Sequence, residues 1–250
     1  MTMPIPFSML LQQAVNLFLP VPEPSGTPLF SIIIPTLHCA EKLERSIASV
    51  LRQPRALWEL IVIDGDSRDA TLEVIRAHEP DLRCWISEPD RGVYDAMNKG
   101  IARASGRYLY FLGAGDCLRE HVLAKVAARL PEQRIGFVYG NVFMHDRNLV
   151  WDGPWTPAKF RTRTPCHQAI FYDRRIFARH GLYEPRYRSM ADYAQNIRCF
   201  GDRRIEKIYL DEIIADFEGA GFSACFRDEC FHRERAALLQ RHLGLVPKRK

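Results

Sequence analysis

Four short apolar runs, separated by stretches of helical periodicity, constrain the fold of this chain more than any other feature. They are residues 31–35 (SIIIP), 60–63 (LIVI), 84–87 (CWIS) and 108–112 (YLYFL). The first two, short and rich in β-branched residues, read as strands buried on both faces, and the other two as a third and a fourth strand. Between the first two, Leu43, Ile47, Val50 and Leu51 recur at helical spacing, and residues 71–78 and 95–104 read as further amphipathic helices. Strands alternating with helices predict a parallel, doubly wound sheet, an α/β fold. Past residue 130 the pattern changes. Residues 136–139 and 142–145 read as two strands joined by a Gly140-Asn141 turn. Residues 169–172 then read as a strand, 174–180 and 191–200 as helices, 205–217 as strand-rich and 228–243 as a charged terminal helix. The expected division is an apolar segment and linker over 1–27, a nucleotide-binding half over 28–130, and an acceptor-side half over 131–250. The crevice of such a sheet lies at the C-terminal ends of its strands.

With 250 residues, 47% of them hydrophobic, the chain is long enough to bury a full core. Its net charge of +5 suits phosphate-bearing ligands or an anionic surface. No helix-turn-helix, zinc-finger or RNA-binding signature accompanies that charge, so no nucleic-acid partner is expected. The 7 cysteines include no CxxC pair and read as reduced thiols. Residues 7–21 are apolar but interrupted by Gln12, Gln13 and Asn16. They read as a docking helix or a peripheral membrane contact, which the basic Lys248-Arg249-Lys250 tail would reinforce, and not as a membrane span. The expected location is cytoplasmic, with room for association on the inner membrane face.

The strand ends carry the chemistry. Neither GxGxxG nor GxxxxGK[ST] occurs. After the second strand comes Asp64-Gly65-Asp66-Ser67-Arg68-Asp69. Asp64 and Asp66 there suit a nucleoside's hydroxyl and N–H donors, while Asp69 suits a helix cap. After the fourth strand comes Gly113-Ala114-Gly115-Asp116. A carboxylate beside small residues lets a diphosphate and a divalent cation approach the backbone, or else simply ends a turn. Between them, Asp90, Arg91, Asp95 and Lys99 surround a loop-to-helix junction. Asp95 and Lys99, four apart, form either a helix-surface ion pair or part of a phosphate site together with Arg91. Further on, Asp192 begins a helix, and His167 stands beside an apolar strand as either a phosphate or metal contact or hydrogen-bonded structure. Arg161, Arg163, Arg186 and Arg188 are solvated charge or contacts for a lipid-linked diphosphate. Residues 217–223 (FEGAGFS) form a candidate lid.

Together SIIIPT, LIVIDGDSRDAT, EPDRGVYDAMNKGI, FLGAGD, CHQAIFY and MADY resemble the family-2 inverting glycosyltransferases, and in particular the bacterial subgroup that builds cell-surface glycans and glycolipids. The resemblance covers residues 30–223. It implies a GT-A fold, a Rossmann-like, mostly parallel sheet in one domain, and a nucleotide-sugar donor with a glycan or lipid-linked acceptor. Carried over by position, it implies that Pro35 and Thr36 line the base pocket and that Asp64 and Asp66 bind the nucleoside. By the same reading Asp116 holds Mn²⁺ or Mg²⁺ and Asp192 is the catalytic base. The chain departs from the family pattern at Gly65, where relatives have a second acid, and at Gly113–Asp116, where only one acid of the metal motif survives. Two alternatives stay open: a non-catalytic nucleotide-sugar-binding relative, and a sugar-phosphate nucleotidyltransferase.

Overall fold

A computed structural model describes residues 26–219 and 227–246. The candidate membrane-contacting segment before residue 26, most of the candidate lid and the basic tail lie outside the described residues. The first run is β1 (Phe30–Thr36), followed by α1 (Ala40–Leu51), β2 (Trp58–Asp64), α2 (Thr71–Ala77), β3 (Cys84–Ser87), α3 (Val93–Arg103) and β4 (Tyr108–Phe111). All four strands pair in parallel in the order β3-β2-β1-β4. β1, β2 and β4 are buried along their whole length, as continuous apolar runs require.

The second half extends the same sheet. It contributes β5 (Cys117–Leu118), α4 (Val122–Ala127), β6 (Ile135–Met144), β7 (Leu149–Trp151) and β8 (Ile170–Asp173). α5 (Arg175–His180), α6 (Ala191–Gly201), β9 (Ile205–Phe217) and α7 (Glu229–Leu243) complete it. The sheet continues β4-β8-β6-β9-β5, with β7 on β6. β6 and β9 run with the front four strands, while β8, β5 and β7 run against them, so most strands share one direction.

The two faces of the pleat bury two cores. Ile33, Ile61, Ile63, Leu109 and Phe111 face a layer that includes Tyr94 and Met97 of α3 and Ala194 and Ile197 of α6. Ile32, Ile34, Leu60, Val62 and Tyr110 face Leu43 and Ile47 of α1 and Leu123 of α4. The architecture is three-layered α/β/α in a single domain, with the loops at the C-terminal ends of β1, β2 and β4 gathered at one edge.

One expected turn is absent. Gly140 and Asn141 do not separate two strands: β6 runs through them, and the pairing with β9 shifts register there. The physical reason is a bulge, which shares its residue preferences with a turn. Asn141 fills the bulge, donating to the Tyr209 hydroxyl at 2.9 Å and accepting from the Gly153 N–H at 2.8 Å. The Asp95–Lys99 pair is also replaced. Asp95 turns back to Arg91, at 3.1 Å from both its backbone N and Nη2. Lys99 reaches Glu88 at 2.8 Å. Asp95 sits in the first turn of α3, where its short side chain reaches the preceding loop more readily than the next turn.

Candidate active site

The loop after β2 is organised by Asp64. Its carboxylate is fully buried and accepts from Ser67 N at 3.0 Å, Ser67 Oγ at 2.5 Å and Ser87 Oγ at 2.7 Å. The loop's shape therefore depends on Asp64, while the exposed carboxylate is that of Asp66, whose φ of +73° turns it out of the strand. Asp69 accepts from Thr71 N and Oγ1 in a local turn just ahead of α2, and the expected cap is not formed, since Ala70 holds the N-cap position and no side chain caps the helix. Pro35 and Thr36 end β1 beside this loop, the Gly65 N–H donating to the Thr36 carbonyl at 3.0 Å. Arg91 lies largely in solvent, held by Asp95.

The loop after β4 is built around Ser46 of α1. Its hydroxyl donates to the Asp116 carbonyl at 2.7 Å and accepts from the Gly115 N–H at 2.9 Å. Gly115 has φ +111°, a backbone region other residues rarely adopt. The Asp116 carboxylate is 6% exposed, with Oδ2 accepting from Gln168 Nε2 at 2.6 Å and Oδ1 from the Glu218 N–H at 3.0 Å. Burial raises its pKa to about 6, only partly offset by these two donors. Glu218 itself pairs with Lys42 at 2.7 Å and Arg45 at 2.9 Å.

Asp192 lies in the first turn of α6, and its carboxylate faces the sheet edge instead of capping the helix. Oδ1 accepts from the Tyr94 hydroxyl at 2.6 Å, and Oδ2 lies 3.7 Å from His167 Nδ1. Burial, reinforced by the charge of Asp192, pushes the Tyr94 phenol well above its ordinary pKa, so it stays a donor. Burial likewise lowers the pKa of His167, with Asp192 pulling the other way. His167 and Gln168 are consecutive residues of the turn that leads into β8. One dipeptide thus meets both acids, His167 at Asp192 and Gln168 at Asp116. Sequence reading picked out the acids and His167 but missed Gln168, Tyr94 and the Glu218 N–H. The only sequence signal for Gln168 was its place in CHQAIFY.

A cation fits this site in one way only. Among the described residues no group of three or more His, Cys, Asp and Glu side chains is placed to hold a metal ion. A single carboxylate suits Mg²⁺ or Mn²⁺ when substrate phosphates and water supply the remaining ligands. Arg163 and Arg186, expected on the acceptor side, are drawn into pairs with Asp152 (2.7 Å) and with Glu184 and Glu234 (2.7 and 2.6 Å). Arg161 donates to the Val246 carbonyl at 2.7 Å.

A three-layer α/β/α domain with acidic loops at the ends of β2 and β4 is the architecture of a GT-A glycosyltransferase. The chain belongs to glycosyl transferase family 2, whose model matches residues 31–185. It is 42% identical over 213 residues to the PGL/p-HBAD biosynthesis glycosyltransferase of Mycobacterium tuberculosis, covering 82% of this chain and 83% of that one. It is 32% identical over 123 residues, 49% of each chain, to the Escherichia coli UDP-Glc:alpha-D-GlcNAc-diphosphoundecaprenol beta-1,3-glucosyltransferase WfgD. Among solved structures, S. aureus TarS in complex with UDP superposes with a TM-score of 0.65 at 16% identity, over 86% of this chain and 72% of that one. The mannosyltransferase PcManGT from Pyrobaculum calidifontis, in complex with GDP-Man and Mn²⁺, gives 0.60 at 19%, over 94% and 69%. The two structures establish the fold, and the sequence relatives establish the enzyme class. The nucleotidyltransferase alternative falls with that assignment.

Proposed function

We propose that this glycosyltransferase moves a sugar from a nucleoside-diphosphate sugar to a hydroxyl of a cell-surface glycan or lipid-linked acceptor, with inversion at the anomeric carbon. The observation that carries the reading is the pair of buried acids, Asp116 and Asp192, met by adjacent residues of one turn. The relatives' names support the acceptor class: one serves glycolipid biosynthesis and another acts on a diphosphoundecaprenol-linked sugar.

In this reading Asp66, Pro35 and Thr36 face the nucleoside, with Asp64 holding their loop, and Arg91, Asp95 and Lys99 flank the donor side. Asp192 takes the proton from the acceptor hydroxyl as that oxygen attacks the anomeric carbon. The bond to the diphosphate breaks, and the nucleoside diphosphate leaves with the electron pair. Tyr94, held protonated by burial, keeps one oxygen of Asp192 occupied and directs the proton to the other. Asp116 would hold Mg²⁺ or Mn²⁺, and the ion would supply positive charge to offset the negative charge that grows on the departing diphosphate. No membrane-crossing helix is present among the described residues, so a lipid-linked acceptor would be reached from the membrane surface.

The test is nucleoside-diphosphate release over UDP-, GDP- and dTDP-sugars with Mn²⁺, Mg²⁺ or EDTA, with donor binding followed in parallel by thermal shift. Metal-dependent release abolished by Asp192→Asn establishes the reading. The single acid of the Gly113–Asp116 loop is the one feature favouring a non-catalytic relative. Donor binding without turnover in the presence of mycobacterial or Gram-negative glycolipid extracts would establish that reading instead.

A further inference from the structure

Gln168 is 3% exposed, and both ends of its side-chain amide and its backbone carbonyl have partners. Its Nε2 donates to Asp116 Oδ2 at 2.6 Å, its Oε1 accepts from Cys166 Sγ at 2.8 Å, and its backbone carbonyl accepts from the Tyr110 hydroxyl at 2.7 Å. The contact with Cys166 fixes which end of the amide faces Asp116. Tyr110 is anchored in β4, the strand that delivers Asp116, so strand and turn are tied at two points. The opposite side of the contact is shaped to match. A Cβ on Gly113 would lie 2.6 Å from Asp116 Oδ2 and 3.3 Å from Gln168 Nε2. The loop that carries one acid instead of two thus leaves open the space in which a neutral amide reaches the remaining acid.

We propose that Gln168 is the positioning residue for Asp116, an amide that arrives from the turn before β8 and fixes the orientation of the lone carboxylate toward a nucleoside diphosphate and its cation. The inference rests on the donor reading above and adds the residue that makes a one-acid site work. With the donor removed, the carboxylate is held at Oδ1 alone by the Glu218 N–H and is free to turn. A buried charge-assisted hydrogen bond of this kind is expected to be worth about tenfold in affinity.

The test is calorimetric titration of the full chain with UDP and with GDP, each in Mn²⁺ and in EDTA. Gln168→Met, similar in length but without the donor, should weaken the Mn²⁺-dependent binding about tenfold and leave binding in EDTA unchanged. Gly113→Ala crowds the same contact from the other side while the Gln168 side chain stays in place, so it serves if Gln168→Met does not fold, and it should show the same selective loss. Equal weakening in Mn²⁺ and in EDTA, or Mn²⁺-dependent binding like wild type in a folded variant, overturns the role of Gln168. Wild-type protein that binds neither nucleotide under either condition overturns the donor reading itself.

Discussion

Two buried carboxylates sit at opposite ends of the parallel strands, and their surroundings differ in kind. At the N-terminal end, Glu59 accepts from Ser31 Oγ at 2.6 Å, Ser105 N at 2.6 Å, Ser105 Oγ at 2.7 Å and Gly106 N at 3.2 Å. Burial alone would raise its pKa, but these donors outweigh it and hold the carboxyl below its ordinary value. At the C-terminal end, Asp116 has two donors, and burial prevails. Glu59 is a staple that joins β1, β2 and the approach to β4, with its charge fully compensated. In the proposed function, the less fully satisfied Asp116 is the one that would meet a ligand. A site destabilised in this way is the usual cost of function, since an acid fully satisfied by its own chain has little left for a ligand.

The contrast can be broken most directly by removing each acid. Asp116→Ala should cut turnover by roughly 10²-fold or more with the fold intact, measured as nucleoside-diphosphate release at saturating donor. If turnover survives, the two ends are not functionally different. Glu59→Ala should do the opposite, costing about 3 kcal/mol of stability in urea melts because several buried donors lose their acceptor, while kcat of the folded fraction is kept. Asp116→Asn should raise the melting temperature at pH 7.5 by about 5 °C, since the shift from 3.8 to about 6 corresponds to about 2–3 kcal/mol of penalty on the ionised form.

The pH dependence sharpens the same comparison, and its sign differs at the two ends. Native Asp116 keeps a proton that the unfolded chain releases between 3.8 and about 6, so its contribution favours the fold at low pH and is lost as pH rises through 6. For Glu59 the folded pKa is the lower one, so its contribution is present above the ordinary carboxylate range and is lost as pH falls through the depressed value. Melts in EDTA carried from pH 8 down to pH 3 should therefore show stability rising as pH falls from about 6 to 3.8, a slope that Asp116→Asn removes, and falling below 4.5, a slope that Glu59→Ala removes. The smallest effect is expected at the Arg91–Asp95 pair, where Arg91 is 80% exposed. Arg91→Ala should change stability by less than about 0.5 kcal/mol, so any large loss of donor affinity there marks a ligand contact.

How much of this was legible in the chain follows the same divide. β1, β2 and β4 announce themselves because each is buried on both faces, and a short uninterrupted apolar run has few other uses. The acids at their ends were legible for the related reason that a carboxylate directly after a buried strand must be either satisfied or functional. Which of the two applies was not legible. Asp64 and Asp66 are two residues apart, yet one is wholly enclosed by serines and the other open. Gly140-Asn141 misled because a bulge and a turn draw on the same residues, and only the partner strand β9 distinguishes them. Gln168 and Tyr94 lie in segments that the resemblance covers, but nothing local pointed to their roles. Their partners lie 52 and 98 residues away, and no pattern along the chain encodes a contact at that distance.

β8 runs antiparallel between β4 and β6, which has a consequence for how the enzyme is made. The chain leaves the ribosome with β1 to β4 already able to pair, but β4 is then an open edge and Asp116 has no amide beside it. Only when the chain past Asp173 has emerged can β8 insert, cover that edge and deliver Gln168, with Asp192 still to follow. Closing such distant pairings is the slow part of assembling a sheet. The nascent half-enzyme should therefore be the species most exposed to misassociation. Gln168 and Asp192 arrive only with the second half of the sheet, so a chain interrupted before them is an incomplete sheet and not a partially active transferase.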